Sequence, residues 1–169
     1  MRLGEALNLQ PHDVDWAESV LTIRGAKFGK SRLVPLHPST REVLLAYAER
    51  RDHIYAPRQV SYFFVSSQGT RLIATNVSKI FRHLSRQIGI RTPSAKTGPR
   101  IHDFRHRFAV ETLLEWYRNG EEISRRLPVL STYLGHGNVT HTYWYLSSTP
   151  ELMTAAAERL ELRWKGVLP

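Results

Sequence analysis

The stretch "LGHGNVTHTYWYLSS", Leu134 to Ser148, sets His136, His141, Tyr143 and Tyr145 within ten positions of a chain that has no cysteine. Its opening residues read as the end of a helix. A helix that ends at Gly135 would hold the following His136 in a tight, partly buried turn. "NVTHTYW" then forms a short helix that swings the phenol of Tyr145 back over the same place. A tyrosine oxygen is a nucleophile only where cations favour its phenolate or a base takes its proton. The ordinary use of a tyrosine in an aromatic run is core packing.

Upstream, "IHDFRHRF" (101–108) puts His102 and Arg105 three residues apart, on one face of a helix, with Asp103 and His106 pointing elsewhere. A guanidinium grips a phosphate through two parallel hydrogen bonds, and an imidazole beside it exchanges a proton near neutral pH. Further helices are expected at about 75–88, 101–117, 121–134 and 150–162. "PSTREVLLAYAERR" (38–51) makes another, capped by Ser39 or Thr40, with Val43, Leu44 and Tyr47 at helical spacing.

"SVLTIRGAKFGKSRLVPL" (19–36) reads as a hairpin around a Gly25–Gly29 turn, Val20, Thr22 and Arg24 alternating on one arm and Arg32, Val34 and Leu36 on the other. Lys27 and Lys30 sit in that turn, where a rigid tip can deliver an ammonium into a groove. "YFFVSSQGTRL" (62–72) suggests a short strand and a turn. "RLGEALNL" (2–9) makes one or two helical turns, halted by Gln10 and Pro11, with Arg2 and Glu5 spaced as an ion pair. Together these give an α+β chain, mainly helical, with a small antiparallel sheet.

The chain has 169 residues, 41% of them apolar, enough for one compact core, and 24 Lys and Arg against 15 Asp and Glu, a net charge of +9. That balance favours a polyanion such as nucleic acid. The loop "RTPSAKTGPR" (91–100), with Lys96 and Arg100, reads as a surface loop that either touches an anionic partner or is simply solvated. Missing cysteine excludes disulfides, thiol catalysis and cysteine-ligated metals, and no apolar run is long enough to span a membrane. A reducing, cytoplasmic setting fits.

Read in order, "RLGEAL" with Arg2, "KFGKSRLVPL" with Lys27, "HDFRH" with His102 and Arg105, and "YLGH…TYWYL" with His136 and Tyr145 resemble the catalytic domain of the tyrosine recombinases, the phage integrase family, across essentially the whole chain. The resemblance implies that family's DNA breaking–rejoining fold. It also implies cleavage of double-stranded DNA in a nucleoid-associated setting, by a homo-oligomer, a tetramer on DNA. Arg2 and Arg105 would neutralise the scissile phosphate, His136 would donate a hydrogen bond to it, and Tyr145 would attack. Lys27, chosen over Lys30 because the family's lysine sits early in the turn, would protonate the leaving 5′ oxygen. His102 would accept a proton or support the phosphate. Lys30, Arg32, Lys96 and Arg100 are the further candidates for DNA contact. No metal or cofactor is required by such a set of cations.

The resemblance further implies a helical DNA-clamping domain and additional helices ahead of Arg2. Residues 1–169 are therefore expected to be a catalytic domain without them, with Arg2 loosely held. A non-enzymatic DNA-binding remnant and a type IB topoisomerase-like relaxer are the alternatives. The helix "PELMTAAAERLEL" (150–162) either docks on a neighbouring subunit or packs on its own core through Leu152, Ala155, Ala156 and Leu160. Trp116, Tyr117, Arg125 and Arg126 either pack or touch DNA.

Overall fold

The computed structural model describes residues 1–25, 29 and 31–166, without the side chains of residues 147, 148 and 163. It divides into two compact units, 1–101 and 102–169.

In the first unit, helix α1 (Leu3–Leu7) leads through a 3₁₀ turn (Pro11–Asp13) into strands β1 (Val14–Asp15), β2 (Val20–Ile23) and β3 (Arg32–Pro35), then helices α2 (Pro38–Tyr55) and α3 (Ala74–Gln87). The strands form one antiparallel sheet in the order β1-β2-β3, with Leu21 opposite Val34 and Ile23 opposite Arg32. The expected hairpin is present, but the parity of its first arm is reversed. Leu21 and Ile23 are buried, while Val20 and Thr22 are only partly so. Successive side chains on a strand face opposite ways, and the arm turns its more apolar pair inward, beside Val14 and Val34. Strand β1 was not expected from the sequence.

Helix α2 is capped by His37, not by Ser39 or Thr40: the His37 ring accepts the Ser39 N–H, and Pro38 occupies the first turn, where its missing N–H costs nothing. Val43, on its expected apolar stripe, is 70% exposed. The short strand and turn expected within 62–72 are reduced to a single bridge between Val65 and Arg71. Phe63 instead turns inward. It is fully buried among Trp16, Tyr47 and Phe64, its N–H donates to the Leu9 carbonyl, and Arg51 caps it with a guanidinium that also bonds its carbonyl.

The second unit holds helices α4 (Ile101–Arg118), α5 (Ile123–Leu134), α6 (Thr140–Ser148) and α7 (Pro150–Trp164). Its core comprises Ala109 and Leu113 of α4, Leu127, Leu130 and Leu134 of α5, Tyr145 of α6 and Leu152 of α7. Trp116 and Tyr117 pack against this core, and Arg126 lies over the Trp116 ring with its side chain half exposed. Arg125 is exposed and paired with Glu122. Helix α7 docks on its own chain through Leu152, half-buried Ala155 and Ala156, and Arg159, which bonds the carbonyls of Gly120 and Glu121. Leu160 does not join that packing and is half exposed.

Candidate functional site

In the first unit the chemistry gathers on Glu5. Its carboxylate accepts from the Arg2 N–H at 2.7 Å and from Arg2 Nη1 at 3.1 Å. Arg32 reaches it from β3 with two further bonds, Nη1 at 3.1 Å and Nη2 at 2.8 Å. Burial alone would raise the Glu5 carboxyl, but the Arg32 hydrogen bonds, then the Arg2 N–H and the Arg32 charge, hold it down at about 2. Arg2, expected to be loosely held, is therefore tied by a short helix whose acid is itself locked to the sheet. Arg32, expected among the DNA contacts, has a side chain only 8% exposed and forks onto Glu5.

Lys27 and Lys30 lie outside the described residues. Lys96 and Arg100 are exposed on the loop where sequence placed them. That loop is clamped from within by Arg91, which is buried and bonds the Pro99 carbonyl at 2.7 Å. Gly98, at φ +148°, lies so close that a Cβ there would meet the Arg91 guanidinium at 3.1 Å. Between Asp52 and Asp103 the chain has eight Lys and Arg and no acidic residue, a charge block that the sequence reading passed over.

In the second unit, Gly135 ends α5 in the left-handed region at φ +73°, and the His136 N–H closes the turn on the Ser131 carbonyl at 3.0 Å. That places His136 as expected. Its Nδ1 lies 2.7 Å from the Thr142 hydroxyl. The ring stacks on Tyr145 with centroids 6.1 Å apart and planes 17° apart. Tyr145 is 5% exposed, whereas Tyr143 is 51% exposed, so α6 separates the two tyrosines by burial.

On α4, Arg105 is buried and His102, one turn earlier, is exposed. His106 does not point elsewhere. Its ring lies 5.1 Å from that of Tyr145 and 5.6 Å from that of Trp144. Position 106 is four residues beyond 102, about 40° away around the helix, so the sequence contained the signal.

A cavity of about 900 Å³ opens onto His102, Tyr117, His141, Tyr143 and Tyr145. Of its three phenols, Tyr117 has its pKa raised by burial, with Arg159 opposing, which disfavours its phenolate. Among the described residues no three His, Asp or Glu gather as metal ligands.

The second unit thus buries Tyr145 between the rings of His136 and His106, and carries buried Arg105 and exposed His102 one turn apart on α4. The chain matches the phage integrase family over residues 1–151 and belongs to that family. It is 52% identical over 98% of its length to protein y4rB of Sinorhizobium fredii, described as an integrase/recombinase, and covers 53% of that protein. The crystal structure of XerA recombinase superposes with a TM-score of 0.72 at 26% identity, over 96% of this chain and 53% of that one. XerH recombinase bound to its difH substrate after cleavage shares the fold, with a TM-score of 0.67 at 24% identity over 95% of this chain and 42% of that one. The chain spans about half the length of the relatives it matches.

Proposed function

We propose that this chain carries the strand-breaking and rejoining chemistry of a site-specific DNA recombinase, with Tyr145 as nucleophile. The observation that carries the reading is the placement of Tyr145: buried, stacked on His136, flanked by His106, and lining one cavity with His102. Family membership and the DNA-bound state of XerH support it.

In this reading the Tyr145 oxygen attacks the scissile phosphorus and the bond to the 5′ oxygen breaks, leaving a 3′-phosphotyrosyl strand and a 5′-hydroxyl. Arg2 and Arg105 neutralise the non-bridging oxygens and His136 donates a hydrogen bond to one of them. His102 takes the phenol proton or supports the phosphate, and Lys27 supplies the proton to the leaving oxygen. Lys96 and Arg100 hold the flanking backbone. The phosphotyrosine keeps the free energy of the phosphodiester, so a second 5′-hydroxyl reverses the step, and two exchanges recombine two duplexes. The partner is duplex DNA in the cytoplasm, at the nucleoid, engaged by a tetramer.

Nicked suicide duplexes from the DNA flanking the gene, followed by peptide mapping of the trapped adduct, test the assignment. Wild type and Tyr143→Phe form the adduct, and Tyr145→Phe does not. An adduct in Tyr145→Phe that is absent from Tyr143→Phe moves the nucleophile to Tyr143. No adduct in any form, with binding intact, leaves DNA binding alone.

A further inference from the structure

Among the described residues, four helical threonine or serine hydroxyls turn back on their own helix: Thr112 bonds the Phe108 carbonyl, Thr132 that of Pro128, Thr154 that of Pro150 and Ser85 that of Phe81. This is the common resting place for such a group in a helix. Thr142 departs from it. The carbonyl four residues before it, Asn138, takes the His141 N–H, and the Thr142 hydroxyl lies 2.7 Å from His136 Nδ1. Thr142 is fully buried, at 0% exposure.

We propose that Thr142 is a positioning residue, donating its hydroxyl hydrogen to His136 Nδ1 so that the neutral imidazole carries its own proton on Nε2, ready for a phosphate oxygen. The proposal rests on the strand-cleavage reading above, in which His136 donates to the phosphate.

The direction of the bond follows from burial. Among the described residues His136 Nδ1 is the one hydrogen-bond partner of the Thr142 hydroxyl. Were Nδ1 protonated, the hydroxyl would accept, and its own hydrogen would lie buried without an acceptor there, a costly arrangement. Donation from the hydroxyl satisfies both groups and fixes the tautomer, as the second partner of a functional imidazole does elsewhere. The ring has little freedom to escape: its backbone is held by the turn at Gly135 and its face by the stack on Tyr145. Among the titratable rings around it are His141 at 6.0 Å and Tyr145 at 6.1 Å, with His106 reaching Tyr145 from α4.

The consequence is a specific dependence on pH. With the hydroxyl in place, Nε2 donates whether the ring is neutral or charged. Without it, the neutral ring can put its proton on Nδ1, and Nε2 is assured of a hydrogen only when the imidazole is protonated.

Long-range proton–nitrogen NMR on the 169-residue protein at about pH 8, with His136→Gln identifying the signal, tests this directly. The expected result is a pyrrole-type Nε2 and a pyridine-type Nδ1 in the wild type, a shift toward the other tautomer in Thr142→Val, and recovery in Thr142→Ser. In the adduct assay Thr142→Val should lose about tenfold to a hundredfold in cleavage rate at neutral pH, regain activity as the pH falls through the imidazole range, and bind DNA as before.

A pyridine-type Nε2 in the wild type overturns the proposal whether or not the variants fold, and leaves cleavage by Tyr145 standing. An unchanged tautomer in Thr142→Val, or an equal and pH-independent loss in the valine and serine variants, overturns it as well. A protein with the stated tautomer that forms no adduct overturns the cleavage reading while upholding the direction of the bond.

Discussion

Replacing Glu5 by glutamine removes the charge that joins Arg2 to Arg32. In the folded chain this carboxyl is held at about 2 against an ordinary value of 4.5. At about 1.36 kcal/mol per unit, the difference corresponds to about 3.4 kcal/mol of stabilisation. The Arg2 side chain is 32% exposed, so part of that attraction is screened and about 2–3 kcal/mol is the expected share. Because the folded value lies below the unfolded one, this stability is fully present above about pH 5 and is lost as the pH falls toward 2. Urea unfolding of wild type and Glu5→Gln at pH 7, 4 and 2.5 measures it. The variant should be weaker by about 2–3 kcal/mol at pH 7, much of it from the lost ionic fork with Arg32, whose side chain is only 8% exposed. The two proteins should converge in acid. A difference that stays constant across this range, or none at pH 7, would refute the view that Glu5 is an ionic lock on Arg2.

Three other outcomes are expected from the sequence and the proposed chemistry. Affinity for duplex DNA should fall steeply with added salt, since +9 of net charge implies many phosphate contacts, and a filter-binding series between about 50 and 200 mM salt that stays flat would count against this. Arg105→Ala should slow adduct formation by roughly two orders of magnitude or more, while Arg100→Ala, exposed on its loop, should mainly weaken binding; equal and mild effects would reduce "HDFR" to a helix face. Lys27→Ala should be rescued by a substrate whose 5′ leaving group is a thiol, which needs no general acid, and rescue of Lys30→Ala in its place would move the role to that lysine.

What the sequence made legible is the part governed by local rules. The stop at Gly135, the helix that follows, the hairpin and the three-residue step from His102 to Arg105 depend on turn chemistry and periodicity, which a single strand of text displays. What escaped depends on three-dimensional neighbours. The parity of β2 was misread because Val20 and Thr22 are as strand-like as Leu21 and Ile23, and only the partner side of the sheet decides which pair is buried. His37 displaced two better caps because Pro38 fixes the start of α2. Arg32 could not be assigned to Glu5 from text, since 27 positions separate them and β3 alone brings the guanidinium to α1. Position 106 was visible in principle, being near 102 on the same helix, but an aromatic partner on α6 was needed to give it meaning.

The burial of α6 ties these observations to the choice of nucleophile. Thr142 and Tyr145 are three residues apart and share one helical face, and both are buried, at 0% and 5% exposure. Tyr143 is turned about 200° from Tyr145 and lies half exposed. The face that seats the Thr142 hydroxyl on His136 is thus the face that lays Tyr145 against the same imidazole. A rotation of α6 large enough to bring Tyr143 to that ring would carry Thr142 away from Nδ1 and leave a hydroxyl and a ring nitrogen without each other. In the proposed cleavage reading, the hydrogen bond to His136 and the placement of Tyr145 as nucleophile are therefore set by a single helical register.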